Sequence, residues 1–227
     1  MSDVLLIHGA CHGAWCWDAV ASHLSGSGHR PIAVDLPSDD PQSGLNEYAD
    51  AAIASLPPVL DDLIVVGHSL GALTAAVVAG RVKTRRLAFV AGVIGSPGMS
   101  LADLAAVDAE RDGHLGQDDL EFDEARRFRF TRVGAMRVLF HDSEPDAAQL
   151  AIARLRFQES MWNEVADFKE WRADEVVSVV CTEDRVINPS WGRQVSRERL
   201  GVDALEMACG HSPWLSRPAE LARMLVE

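Results

Sequence analysis

Ser69, Asp184 and His211 are three residues whose types and order could make up a nucleophilic catalytic site. Ser69 is the middle residue of the pattern Gly67-x-Ser69-x-Gly71, in which a sharp turn between a strand and a helix exposes the serine hydroxyl. In such a site the histidine takes the serine proton and later protonates the leaving group, while the aspartate holds the imidazole in one tautomer. The three residues therefore indicate acyl transfer through a covalent intermediate on Ser69.

The glycine-serine-glycine pattern is a weak signal when it stands alone. At average glycine usage it arises by chance in roughly one chain in ten of this size. Its surroundings strengthen it, because the apolar residues 63–66 predict a buried strand and residues 70–78 predict a helix. The backbone N–H of Leu70 would then lie at the start of the helix, where it can stabilise an oxyanion. The alternative is an ordinary serine in a tight turn before a core helix.

A second oxyanion donor is expected in the loop after the first strand. Residues 4–7 are apolar and predict that strand, and His8, Gly9 and Ala10 follow it directly. An N–H from such a loop completes the oxyanion hole of enzymes that carry the serine on a sharp turn, so we assign that role to Ala10. For the side chains of His8 and His12 we expect hydrogen bonds to the local backbone rather than catalytic roles.

Asp184 and His211 each follow a predicted strand. Residues 176–180 are a β-branched run before Asp184, and residues 204–207 form a short run before His211. Sites in sheets of this kind form beyond the carboxyl ends of the parallel strands, so both side chains can meet the serine there. Glu183 is the alternative acid.

The order of the predicted elements indicates the fold. The apolar runs are residues 4–7, 31–36, 63–66, 86–90, 176–180 and 204–207. They alternate with helical stretches, which predicts an α/β fold with a mostly parallel sheet and helices on both faces. Residues 93–171 lack a strong strand signal and predict amphipathic helices, including Phe122 to Phe140 and Pro145 to Phe157. We therefore expect a core of residues 1–92 and 172–227 with an inserted helical cap of residues 93–171.

Composition excludes several classes of partner. The 227 residues carry a net charge of −13, which opposes binding to nucleic acid or to an anionic membrane. Residues 1–7 have no positively charged stretch before their short apolar run, so we expect no signal peptide, no membrane span and a cytoplasmic location. The four cysteines are too scattered for a disulfide framework or a zinc site, and no motif calls for a metal or another cofactor.

Several segments of the sequence resemble the plant methyl esterase and hydroxynitrile lyase family, whose members are α/β hydrolases. The matching segments are residues 5–17, 67–71, 181–184 and 210–214, with further likeness at 140–142 and 151–156. The resemblance implies an α/β-hydrolase fold that begins at the first parallel strand. It also implies a cap that covers a mostly apolar pocket. The excess of arginine over lysine indicates a bacterial source.

Two departures from the family decide between its branches. The lyase branch generally carries a threonine after the first histidine and a lysine after the catalytic histidine, where this chain has Gly9 and Ser212. The sequence therefore favours a serine carboxylesterase that acts on a small ester. A hydroxynitrile lyase and a small-molecule receptor that retains the three residues are the alternatives. The acyl and alcohol parts of the substrate are not readable from the sequence, which also leaves a homodimer open.

Overall fold

The computed structural model describes residues 1–108, 111, 113–159, 161, 163–166, 168 and 170–227. Its strands are β1 (Asp3–Ile7), β2 (Arg30–Val34), β3 (Ile64–His68), β4 (Thr84–Val90), β5 (Leu120–Phe122), β6 (Phe128–Phe130), β7 (Ala173–Cys181) and β8 (Leu205–Met207). Six of these form one parallel sheet in the order β2-β1-β3-β4-β7-β8. All carboxyl ends of the sheet strands therefore lie at one edge.

The central strands are apolar on both faces because both faces are covered. Every residue of β1 and β3 is buried, and Leu5 pairs with Val65, which in turn pairs with Leu87. This burial explains the continuous apolar runs in place of alternation. The predicted parallel sheet is confirmed.

The helices lie in two sets. They are α1 (Asp18–Gly26), α2 (Leu45–Ala54), α3 (Gly71–Arg81), α4 (Leu101–Val107), α5 (Arg132–Gly134), α6 (Pro145–Ala153), α7 (Pro189–Val195), α8 (Pro213–Ser216) and α9 (Pro218–Val226). Helix α1 packs beside α9, and α2 packs beside α3. The connection from β1 to β2, which contains α1, moves along the sheet in one direction, whereas the connections that contain α2 and α3 move in the other direction. Because such connections are right-handed, α1 and α9 lie on one face of the sheet and α2 and α3 lie on the other.

The segment between β4 and β7 corrects part of the sequence prediction. The predicted helix from Phe122 to Phe140 is wrong, because β5 and β6 form an antiparallel hairpin and helical turns begin only at Arg132. The physical reason is that apolar and polar residues alternate with a period of two, as in strands, rather than at helical spacing. Glu121 pairs across the hairpin with Arg129, and each of these charged residues has an apolar residue on either side. Two apolar-polar-apolar triplets are too short to mark strands by themselves.

The second helix predicted in this segment is shorter than expected. Helix α6 ends at Ala153 rather than Phe157, and Gln158 then exchanges backbone hydrogen bonds of 3.0 and 2.8 Å with Phe128. The segment therefore combines helices with extended pairing. Residues 109, 110, 112, 160, 162, 167 and 169 of the predicted cap lie outside the described residues. The cap boundaries at 93 and 171 stay a prediction.

Two further expectations concern the whole chain. All four cysteines are free and buried. None of the helices in the described part of the chain combines the length and apolarity needed to cross a membrane.

Candidate active site

Ser69 occupies the turn between β3 and α3 in a strained backbone conformation. Its φ angle is +52°, a left-handed value that costs a non-glycine residue about 1–3 kcal/mol. Three backbone hydrogen bonds hold the turn: Ser69 N–H donates to Val90 O at 3.0 Å, and Ser69 O accepts from the N–H groups of Ala72 and Val93 at 3.1 and 3.0 Å. The surrounding backbone therefore fixes the direction of the serine side chain.

The glycines on either side of Ser69 are required by close packing. A Cβ on Gly67 would lie 2.7 Å from the Cβ of Ala75 in α3, and a Cβ on Gly71 would clash with the carbonyl oxygen of His8. Residue 67 must therefore be small for strand and helix to meet. Residue 71 must be small for the start of α3 to reach the loop after β1.

Ser69, His211 and Asp184 are joined by a chain of hydrogen bonds. Ser69 Oγ lies 2.9 Å from His211 Nε2, and His211 Nδ1 lies 2.8 Å from Asp184 Oδ2. All three residues are buried, with exposures of 8%, 1% and 6% in that order. This spacing lets the serine hydroxyl donate to Nε2 while the Nδ1–H donates to the carboxylate.

The loop after β7 orients Asp184 and turns Glu183 away. Asp184 Oδ1 accepts hydrogen bonds from the N–H groups of Val186 and Ile187 at 2.7 and 3.0 Å, which leaves Oδ2 for His211. The side chain of Glu183 is exposed. Of the two candidate acids, Asp184 is the one that contacts His211.

Ala10 and Leu70 face the same cavity as Ser69 and His211. Neither backbone N–H donates to another group among the described residues, so both are available to an anion beside the serine. The cavity has a volume of about 120 Å³. Its remaining lining residues are His12, Val93, Leu101, Arg111, Leu115, Leu120, Phe128, Phe130, Leu139, Val186 and Ile187. The cavity therefore offers a mostly apolar space next to one hydroxyl and two backbone donors.

His8 and His12 hold the loop that carries Ala10. His8 Nδ1 donates to Gly9 O at 2.9 Å and His8 Nε2 accepts from the N–H of Leu36 at 3.1 Å, while His12 Nδ1 donates to Ala10 O at 2.6 Å. Burial lowers the pKa of His8 to about 4 and that of His12 to about 3, so both rings are neutral near pH 7. The expected local backbone bonding is confirmed for both side chains.

His68 is a site neighbour that the sequence reasoning missed. Its Nε2 donates to the backbone carbonyl of His211 at 2.8 Å, and the two imidazole rings lie 4.9 Å apart. Burial holds the pKa of His68 well below its usual value, so the ring stays neutral. The only sequence signal was its place directly before Ser69 at the end of a predicted strand.

Comparisons with known proteins agree with this architecture. The model of the alpha/beta hydrolase family matches residues 4–224. The chain is 28% identical to Methylesterase 7 of Arabidopsis thaliana, over 98% of this chain and 94% of that protein. It is 25% identical to Methyl jasmonate esterase 1 of Vitis vinifera, with coverage of 98% and 95%.

A solved structure shows the same fold. The crystal structure of polyneuridine aldehyde esterase superposes with a TM-score of 0.82 at 21% identity, over 100% of this chain and 98% of that chain. The parallel sheet, the strained serine turn and the family match over nearly the whole chain lead to one assignment. The chain belongs to the alpha/beta hydrolase family.

Proposed function

We propose that this protein is a serine carboxylesterase that hydrolyses small carboxylic esters through an acyl-enzyme on Ser69. Ser69 Oγ attacks the ester carbonyl carbon while His211 Nε2 takes the hydroxyl proton, and the alcohol then leaves with that proton. Water attacks the acyl-enzyme, with His211 again taking a proton, and the carboxylic acid departs as Ser69 recovers its hydrogen. Asp184 holds the imidazole and stabilises its charged form. No cofactor takes part.

One observation carries the proposal: the hydrogen-bonded chain from Ser69 through His211 to Asp184 opens onto an apolar cavity. A hydroxyl within 2.9 Å of an imidazole nitrogen has a base ready to accept its proton. The N–H groups of Ala10 and Leu70 are assigned to the oxyanion of the tetrahedral intermediate. An apolar cavity suits the carbon chain of an uncharged ester.

The comparisons support ester hydrolysis. Methylesterase 7 and Methyl jasmonate esterase 1 are named for it, and both align over 98% of this chain. Their named activities motivate the choice of reaction class for this chain. They leave the acyl and alcohol parts of its substrate open.

Residues 9 and 212 argue against the lyase alternative. A Cβ on Gly9 would lie only 2.8 Å from the Cβ of Ser69, so this backbone has no room for the lyase threonine. Ser212 is fully buried and carries a short hydroxyl where the lyase branch has a cationic side chain. The groups that would handle cyanide are therefore missing from both positions.

Residues 93–171 are proposed to act as the cap of the site. They include eight of the cavity-lining residues, from Val93 to Leu139, and the hairpin of β5 and β6 supplies three of these, Leu120, Phe128 and Phe130. A cytoplasmic location is proposed because four free, buried cysteines suit a reducing compartment. Cell fractionation tests the location, and light scattering tests whether the protein forms a homodimer.

Hydrolysis of a p-nitrophenyl ester series, from acetate to decanoate, tests the proposed function. The Ser69→Ala variant is expected to lose roughly a thousandfold or more of the turnover rate, in line with loss of a catalytic nucleophile. Ser27→Ala, an exposed serine in the turn after α1, is the matched control and should keep the wild-type rate. A single burst without turnover would favour the receptor, and cyanide release from mandelonitrile would favour the lyase.

A further inference from the structure

Asp142 lies under the loop that carries His211. Asp142 Oδ2 accepts a hydrogen bond of 2.7 Å from the backbone N–H of Gly210, the residue directly before His211. The Asp142 side chain is 9% exposed, and a Cβ on Gly210 would lie 2.6 Å from Asp142 Oδ1. The carboxylate is therefore seated directly against the backbone that leads into the histidine.

The neighbouring His141 makes the corresponding contact with the other loop of the site. Its Nε2 donates to the backbone carbonyl of Glu183 at 3.0 Å, and Glu183 directly precedes Asp184. Burial, followed by the nearby positive charge of Arg185, lowers the pKa of His141, so the ring stays neutral near pH 7. Since a carbonyl only accepts, the Nε2 nitrogen must carry the hydrogen.

The contacts of Asp142 and His141 lie just beyond the last backbone hydrogen bonds between two loops, the one after β7 that carries Asp184 and the one after β8 that carries His211. The last backbone hydrogen bonds between the loops run from Thr182 N–H to Met207 O and from Glu183 N–H to Cys209 O, at 2.9 and 3.0 Å. Beyond them, the described residues show no further backbone hydrogen bond between the Asp184 loop and the His211 loop. Alignment of Asp184 with His211 therefore needs support from outside the sheet.

We propose that Asp142 and His141 are positioning residues that together hold the Asp184 and His211 loops in register for proton transfer. This inference rests on the proposed esterase function. Neither residue lines the substrate cavity, so they act on the rate of the chemical step and leave substrate binding alone. They also make the spacing between the Asp184 loop and the His211 loop depend on how the segment that contains His141 and Asp142 packs against both loops.

Substitution of Asp142 tests the proposal through the split between kcat and KM. Asp142→Ala removes the acceptor of the Gly210 N–H and is expected to lower kcat by about 100-fold, the cost of a displacement near 1 Å in a catalytic site. KM should stay at the wild-type value. Asp142→Asn keeps an oxygen acceptor and should restore most of kcat. Ser143→Ala, at the next residue, is the matched control because its hydroxyl has no partner among the described residues.

A second readout does not depend on turnover. The proton between His211 Nδ1 and Asp184 should give a far-downfield proton NMR signal in the wild type, and Asp142→Ala should weaken or shift that signal. If the wild type hydrolyses no ester but the signal responds in this way, the esterase proposal fails and the positioning role stands. If Asp142→Ala keeps the wild-type kcat and signal, the positioning role is overturned.

Two further outcomes are decisive. Equal loss of kcat in Asp142→Asn and Asp142→Ala would overturn the proposal, because charge rather than acceptance of the N–H would then be the essential property. If Asp142→Ala fails to fold, His141→Ala replaces it and is expected to lower kcat at unchanged KM. His141→Gln, which retains an N–H donor for the Glu183 carbonyl, should recover activity, and failure to recover would contradict the role of His141.

Discussion

Gly9 lies so close to Ser69 that a Cβ on residue 9 would come within 2.8 Å of the Ser69 Cβ. The same Cβ would lie 3.0 Å from Nδ1 of His68, the ring whose Nε2 donates to the backbone carbonyl of His211. The loop after β1 therefore passes directly over the serine turn. This approach brings the Ala10 N–H to the cavity that Ser69 faces.

Gly9→Ala is expected to lower kcat by about 100-fold, because the added methyl group must move either Ser69 or the loop that carries the Ala10 N–H, and loss of one oxyanion donor costs about that much. Steady-state kinetics with p-nitrophenyl acetate measure the change. Gly26→Ala is the matched control, since a Cβ on Gly26 at the end of α1 meets no atom within 4 Å. Equal kinetics for the two variants would show that the Gly9 approach does not matter for the reaction.

Asp184→Asn is expected to lower kcat by about 10⁴-fold, because an amide facing His211 Nδ1 favours the wrong imidazole tautomer. The asparagine oxygen can still accept from Val186 and Ile187, so the variant should fold. Glu183→Gln changes the exposed neighbouring acid and should leave kcat unchanged. The opposite result, a large loss only in the Glu183 variant, would assign the acid role to Glu183.

Much of the site was predictable because it follows from where strands end. Apolar runs mark β3, β7 and β8 in the sequence, and a parallel sheet brings their carboxyl ends to one edge, so Ser69, Asp184 and His211 meet as expected. Their catalytic roles stay a prediction until a variant is assayed.

The parts that sequence reasoning missed depend on contacts between distant backbone groups. His68 binds the carbonyl of a residue 143 positions away, and Asp142 binds an N–H 68 positions away. Any residue but proline could supply such an N–H, so no residue type marks the partner. The hairpin of β5 and β6 was missed for another reason: three-residue strands are shorter than any reliable alternating pattern.

The four cysteines are expected to resist thiol reagents in the native protein. Burial raises the pKa of Cys11 to about 12 and that of Cys16 above the usual range, and a hydrogen bond with Cys209, followed by burial, raises that of Cys181, so little reactive thiolate forms at these three residues. Titration with Ellman's reagent at mildly alkaline pH should detect no fast thiol, whereas all four thiols should react in guanidinium chloride. A fast native reaction would mean that the structure opens near one of these residues.

Leu120→Ala is expected to shift substrate preference towards longer acyl chains. Leu120 lines the cavity from β5 and is half-buried, so its truncation enlarges the cavity at a modest cost in stability. Each accommodated methylene should change the relative kcat/KM by about 10-fold or more. The p-nitrophenyl ester series measures the shift, and Phe122→Ala, an exposed residue of the same strand outside the cavity lining, is the control. An unchanged chain-length optimum would place the acyl group elsewhere.

The stability of the fold is expected to fall as the pH drops below 6.5, and His8 contributes to this fall. Burial lowers the pKa of His8 from 6.5 to about 4. Between these values the unfolded chain binds a proton that the folded chain does not, so the free energy of unfolding decreases with pH throughout this window. The loss from His8 alone should reach about 1 kcal/mol between about pH 7 and about pH 5.5.

His8→Gln isolates this contribution. The glutamine amide can still donate to Gly9 O and accept from the Leu36 N–H, but it does not titrate. Urea unfolding at the two pH values should therefore show a stability difference between wild type and variant that narrows by about 1 kcal/mol as the pH falls. Both pH values lie above the sequence pI of about 5.0, which limits aggregation. A constant difference in stability would mean that the His8 pKa is not lowered in the folded protein. A neutral His8 ring could then not be what holds the Ala10 loop in place.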